Sequence, residues 1–217
     1  VKKEHVLQAL ANAGTAVEEG CVGAGTGTSC FDFKGGIGTA SRKLLESLGG
    51  YTVGALVQTN FGGVLQIDGV PVGEELGQYD FSNHLHNNVD GSCMIIVATD
   101  APLDSRNLER LAKRAFLGLG KTGGIASNGS GDYFVAFSTA EEVRIPHSSK
   151  ERETEVKTVR NDSMSPLFMA AIEATEEAII NSLFTAKTTT GRNGRTIEAL
   201  PLAKVIPIME KYNRIQK

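Results

Sequence analysis

Residues 90–114 read DGSCMIIVATDAPLDSRNLERLAKR. Cys93 to Thr99 (CMIIVAT) is short, almost wholly apolar and preceded by a polar loop, the pattern of a buried strand. Asp104 then stands where a helix N-cap is needed, because its carboxylate can accept from the free N–H groups of a first turn. The helix it opens, Ser105 to Gly118, sets Leu108, Leu111, Ala112 and Ala115 on one face. A buried strand feeding an amphipathic helix points to a layered α/β or α+β sandwich.

Working outward, Tyr51 to Thr59 (YTVGALVQT) reads as a second buried strand and Tyr133 to Ser138 as a third. Residues 3–18 have helical spacing, with Val6, Leu7, Leu10 and Val17 on one stripe. Cys21 to Gly38 is glycine-rich loop and strand, and Thr39 to Leu48 continues a strand or starts a helix. Residues 60–90 form a long polar connection interrupted by Val64-Leu65-Gln66-Ile67. A Gly/Ser/Asn stretch spans 123–131, and a charged linker runs from Glu141 to Val159. Ser165-Pro166 opens a long helix to about Phe184, with proline in the first turn. Thr185 to Leu200 is polar with a turn at Arg192-Asn193-Gly194, and Leu202 to Tyr212 forms a last short helix. There is no internal repeat. Buried apolar strands need cover on both faces, so helices are expected to flank the sheet.

The composition bounds the function. The chain has 217 residues, 41% of them apolar, and a net charge of −3. That is enough for a sizeable core, and it gives no reason to expect a nucleic-acid or membrane partner. No segment approaches the ~18–20 apolar residues of a membrane span, and no signal peptide is visible. Cys21, Cys30 and Cys93 are too few and too irregular for a disulfide framework, and read as small thiols in a reducing compartment, the cytoplasm.

Most chemical motifs are missing: there is no GxSxG elbow, no HExxH and no phosphate-binding loop with its lysine. His84 and His86 share a strand period, but no third ligand accompanies them, so neither metal nor cofactor is expected. Gly23 to Gly27 (GAGTG) reads as a tight turn packed close to another segment. At Asp90-Gly91-Ser92-Cys93 a polar loop ends in glycine and a serine stands at the start of a buried strand. Strands often begin with serine, so the pattern alone leaves Ser92 either structural or nucleophilic.

Residues 90–114 nevertheless resemble the L-aminopeptidase/D-esterase/amidase family, which includes the β-peptidyl aminopeptidases. Further stretches agree in order. They are Gly25-Thr-Gly with FKGGIGTASR (33–42), YTVGALVQTN (51–60) with IDGVPVG (67–73), TGGIASNGSGDYFVAFSTA (122–140), and Glu173-Ala-Thr-Glu-Glu-Ala178. The resemblance implies a four-layer α-β-β-α sandwich, shared in outline with the ornithine acetyltransferases, and a homo-oligomer. It implies a single catalytic-type domain over residues 1–217, preceded by a further stretch that carries a tyrosine oxyanion donor and part of the amine pocket. It also implies a precursor that cuts itself between Gly91 and Ser92, giving segments 1–91 and 92–217.

The resemblance makes Ser92 the nucleophile. Ser130 and Asp132 match a hydrogen-bonded relay, and Asn60 matches an oxyanion donor. Read without the resemblance, 128–132 (NGSGD) is a glycine-rich turn and Asn60 closes a strand into the Gly62-Gly63 turn. The implied activity is removal of amino-terminal residues from small peptides, amides or esters through an acyl-enzyme. A non-catalytic structural subunit and an acyltransferase of the ornithine acetyltransferase type are the alternatives, the latter disfavoured because those relatives use threonine. The freed α-amine of Ser92, of ordinary pKa about 7.7–8.0, can serve as the base.

Overall fold

The computed structural model describes residues 1–80, 91–149 and 152–215. Its frame is a sheet of four strands, β1 (Ile37–Lys43), β2 (Thr52–Asn60), β3 (Ser92–Thr99) and β4 (Tyr133–Ser138), in that spatial order. The β1–β2 and β2–β3 pairs are antiparallel, whereas β4 lies parallel to β3. The longer helices are α1 (Lys3–Ala11), α2 (Ser105–Lys121), α3 (Ser165–Phe184) and α4 (Leu202–Lys211). A parallel pair requires a long crossover, and α2 is the crossover between β3 and β4.

The period-two burial of the strands fixes which face meets the helices. Val53, Ala55, Val57 and Thr59 of β2 and Cys93, Ile95, Val97 and Thr99 of β3 are buried on one side. α2 and α3 cover that side, and their small residues let them come close. A Cβ at Gly118 of α2 would lie 2.5 Å from the Ile172 carbonyl oxygen of α3, and one at Gly38 of β1 would lie 1.9 Å from the Ala178 carbonyl oxygen. Arg42 of β1 ties the edge of this packing to α3 through both Glu173 and Glu177, while Lys121 of α2 pairs with Glu176. Two of the stretches that carry the resemblance, 33–42 and 173–178, therefore meet in one ion-pair cluster.

The α/β class is as expected. The described residues show the four-stranded sheet with its helical layer, and two further two-stranded ladders, Ser29–Cys30 with Phe33–Lys34 and Thr189–Thr190 with Thr196–Ile197. Cover on both faces is met on one face only. On the other face Met94, Tyr133, Val135 and Phe137 are exposed, and a cleft of about 590 Å³ runs between Val17 and the sheet residues Leu56, Ile96 and Phe137.

Local expectations divide in the same way. Asp104 caps α2, its Oδ1 accepting from the Asn107 N–H at 2.7 Å. The helix runs three residues past Gly118 because that glycine is a contact with α3 and does not act as a terminator. Pro166 sits in the first turn of α3, and Asn193 takes positive φ in the turn at 192–194. Residues 39–43 are strand, and the continuation to Leu48 is a short 3-10 turn. α1 ends at Ala11, short of the expected residue 18, and its Val6, Leu7 and Leu10 are exposed. The chain after Phe61 is not simply a polar connection: Leu65, Val70 and Val72 are buried, and Val72–Glu75 forms one helical turn. His84 and His86 lie outside the described residues.

Gly38→Ala should force β1 and α3 apart, because the clash is with backbone. We expect a loss of about 1–3 kcal/mol, read as a lower urea midpoint at an unchanged m-value.

Candidate active site

The four residues singled out from the sequence converge at one end of the open sheet face. Antiparallel pairing sets Asn60, the last residue of β2, opposite Ser92, the first residue of β3. Their side chains line a cleft of about 650 Å³ together with Ala24, Gly27, Gln58 and Tyr133. That volume suits a small molecule. The described residues that line it include no charged side chain.

Ser92 Oγ donates to the Gly91 carbonyl at 2.7 Å and accepts from the Gly131 N–H at 3.1 Å. The hydroxyl therefore lies against the carbonyl of its own preceding peptide. Gly91 has φ +145°, and a Cβ there would sit 2.2 Å from the Asn60 carbonyl oxygen, so only glycine fits this approach. Behind Ser92, Asp132 accepts from two donors: the Cys93 N–H at 2.8 Å on Oδ1, and the Ser130 hydroxyl at 2.7 Å on Oδ2. Ser130 and Asp132 thus flank the Gly131 N–H that contacts Ser92.

Asn60 has a defined amide orientation. Its Oδ1 accepts from the Ser29 N–H at 3.2 Å, and an N–H can donate only to oxygen. The Nδ2 hydrogens are left for the cleft that Asn60 lines. Cys93, next to the serine, points the other way into the core, and burial pushes its thiol well above the ordinary cysteine range. It is therefore held as an inert neutral thiol and does not compete with Ser92. Cys30 is likewise buried, with its thiol pushed up by desolvation.

The sequence reading missed part of the wall. The GAGTG segment is a 3-10 turn, as a tight turn was expected to be, but it also forms one side of the cleft and leads to the Ser29 N–H. Gly131 was not singled out between Ser130 and Asp132, although its N–H is what reaches Ser92. Gln58 and Met94 could have been found from strand period, since each lies two residues from a site residue.

The profile of the family described as Peptidase family S58 matches residues 1–197. A β-peptidyl aminopeptidase, BapA, from Sphingosinicella microcystinivorans is 48% identical over 229 residues, covering 99% of this chain and 57% of that protein. A β-aminopeptidase structure from a Burkholderia species superposes with a TM-score of 0.84 at 44% identity, covering 97% of this chain and 59% of the other. The L-aminopeptidase D-Ala-esterase/amidase of Ochrobactrum anthropi superposes with a TM-score of 0.87 at 35% identity, covering 100% and 59%. That protein is described as a prototype for the serine aminopeptidases and a new variant among the Ntn hydrolase fold.

The fold is that of these solved structures, the last of them described as an Ntn hydrolase variant. The chain belongs to peptidase family S58. It spans a little under three fifths of the length of these relatives. Among its described residues no helix is long and apolar enough to cross a membrane.

Gly91→Ala should strain the junction between Gly91 and Ser92 through both its φ and its Cβ contact. A stability loss of about 1–3 kcal/mol is expected by chemical denaturation.

Proposed function

We propose that this chain carries the nucleophile of a self-cleaving serine aminopeptidase or amidase that releases amino-terminal residues from small peptides, amides or esters. The observation that carries this reading is the Ser92 hydroxyl 2.7 Å from the Gly91 carbonyl oxygen, with the Asn60 amide directly across the ladder.

In the first step Ser92 Oγ adds to the Gly91 carbonyl carbon. The negative charge that develops on the Gly91 oxygen takes a hydrogen bond from Asn60 Nδ2. The Gly91–Ser92 C–N bond then breaks, the Ser92 nitrogen takes up the proton, and an ester joins the Gly91 acyl group to Ser92 Oγ. Water hydrolyses that ester, leaving a carboxylate on Gly91 and a free α-amine on Ser92. In turnover the same hydroxyl attacks a substrate carbonyl, and the new amine takes its proton and returns it to the leaving group. Asp132 contributes negative charge one residue from that amine, through its bonds to the Cys93 N–H and Ser130. This disfavours loss of the positive charge that forms there. The neutral cleft of about 650 Å³ supports a small substrate. A homo-oligomer and a cytoplasmic setting are proposed with it, the latter on three free thiols.

Intact-mass measurement tests the reading. Fragments corresponding to 1–91 and 92–217 are expected from the parent chain, and Ser92→Ala should give one uncut species with no hydrolysis. A Ser92→Ala chain that still divides at that bond would remove Ser92 from its role. Asn60→Ala should slow cleavage by ~10²–10³ while changing KM little.

A further inference from the structure

Lys34 carries a charge buried in the fold. It is only 1% exposed, no carboxylate pairs with it among the described residues, and burial holds its ammonium below the ordinary lysine value against the pull of the nearby Cys21 sulfur. Its ammonium instead donates all three protons to backbone carbonyls: Gly25 at 2.8 Å, Thr28 at 2.8 Å and Gly35 at 2.6 Å. A buried ammonium is costly unless it is fully bonded, and an apolar side chain would fill the same space without that cost. Structural need alone is therefore a weak account of the charge.

The bond to Thr28 is the informative one. The Thr28 carbonyl and the Ser29 N–H belong to one planar peptide, and in a trans peptide they point in opposite directions. Lys34 holds the oxygen of that plane at 2.8 Å, and its N–H bonds Asn60 Oδ1 at 3.2 Å. Fixing the oxygen fixes the direction of the N–H, and so the Asn60 amide. Polarisation runs the same way. A cation on the carbonyl makes the N–H a stronger donor, and that N–H on Oδ1 makes Nδ2 a stronger donor in turn.

We infer that Lys34 is the positioning residue of the oxyanion donor, acting through the Thr28–Ser29 peptide to aim and polarise the Asn60 amide. The inference rests on the reading of Asn60 given under Proposed function. Lys34 is not among the residues that line the cleft. Its effect should therefore appear in the chemical step and should disappear when Asn60 is gone.

The test is a double-mutant cycle on the full chain with Lys34→Met, Asn60→Ala and the pair. Cleavage at Gly91–Ser92 and hydrolysis of alanine p-nitroanilide are the readouts. Lys34→Met should lower both rate constants at least about tenfold, less than loss of the donor itself, with KM within about twofold. In the Asn60→Ala background the same change should cost under about twofold. Parental rates in Lys34→Met, or a loss that adds in full in the double variant, would overturn the inference, because a general packing role does not depend on Asn60.

Folding is followed by circular dichroism. It should survive, because the Thr28 carbonyl keeps the Gly35 N–H and the Gly25 carbonyl keeps the Thr28 hydroxyl. If Lys34→Met does not fold, Lys34→Gln, which keeps donors but not charge, is judged by the same criteria. A second measurement needs no activity. In uncut Ser92→Ala protein, replacing Lys34 should shift the NMR signals of both the Ser29 backbone amide and the Asn60 side-chain amide, and unshifted signals overturn the link. A parent chain that neither cleaves nor hydrolyses refutes the functional reading, and the NMR comparison still decides the link from Lys34 to Asn60.

Discussion

The site depends on the register of one strand pair. β2 and β3 are antiparallel, so the end of one meets the beginning of the other, and Asn60 faces Ser92 across the ladder. Because side chains alternate, Gln58, Asn60, Ser92 and Met94 share the open face while Thr59 and Cys93 point into the core. A slip of one residue would bury the hydroxyl and turn the Cys93 thiol toward the cleft. The buried face forbids that slip: Val53, Val57, Ile95 and Val97 are fully enclosed. Thr59 adds a polar lock, its hydroxyl bonding the Gly36 backbone and the Ser182 hydroxyl of α3 at 3.0 Å. Core packing thus sets the chemistry on the opposite side of the sheet.

That packing rests on backbone proximity. Gly36 lies against the Gly20 carbonyl, Gly38 against the Ala178 carbonyl, and Gly118 against the Ile172 carbonyl, each closer than a Cβ allows. Alanines 170, 171, 174 and 178 give α3 a narrow buried side that can descend onto the sheet. Several stretches that carry the family resemblance are these contacts: 33–42 holds Gly36, Gly38 and Arg42, and 173–178 holds the glutamates that Arg42 meets. The half-exposed ion pairs themselves add little stability. Their value lies in fixing how β1 sits under the helix.

What the sequence made legible follows from the range of each interaction. The strand at 93–99, the Asp104 cap, Pro166 in its first turn and the 192–194 turn depend on neighbours within a few residues, and they were readable. The extent of α1 was not, because Asn12 and Gly14 interrupt a helix whose apolar residues find no buried face. Leu65, Val70 and Val72 sit among turn-forming residues, so their burial is decided by long-range packing that periodicity does not register. In the site, Ser92, Asn60, Ser130 and Asp132 were named through the resemblance, since each is bland by pattern. The Gly23–Ser29 wall and Lys34 were missed, because the partners that enclose the lysine, the Gly25 and Thr28 carbonyls, are backbone atoms that no residue type announces.

The placement of charge follows the same logic of remote support. The described residues that line the cleft are neutral, yet an anion and a cation are bonded to the backbone behind it. Asp132 bonds the Cys93 N–H and the Ser130 hydroxyl, and Lys34 bonds the Thr28–Ser29 peptide. Acyl transfer by a serine with an amine base, as proposed for this chain, separates charge, positive at the amine and negative at the carbonyl oxygen. Charges placed directly in the cleft would be hydrated and screened before substrate arrived, and each would have to be stripped of water on binding. Held behind backbone amides, they bias the field without that cost, and their geometry is set by the fold before the reaction begins. Such an arrangement explains why a buried lysine without a carboxylate partner is tolerated where a hydrophobic side chain would pack as well.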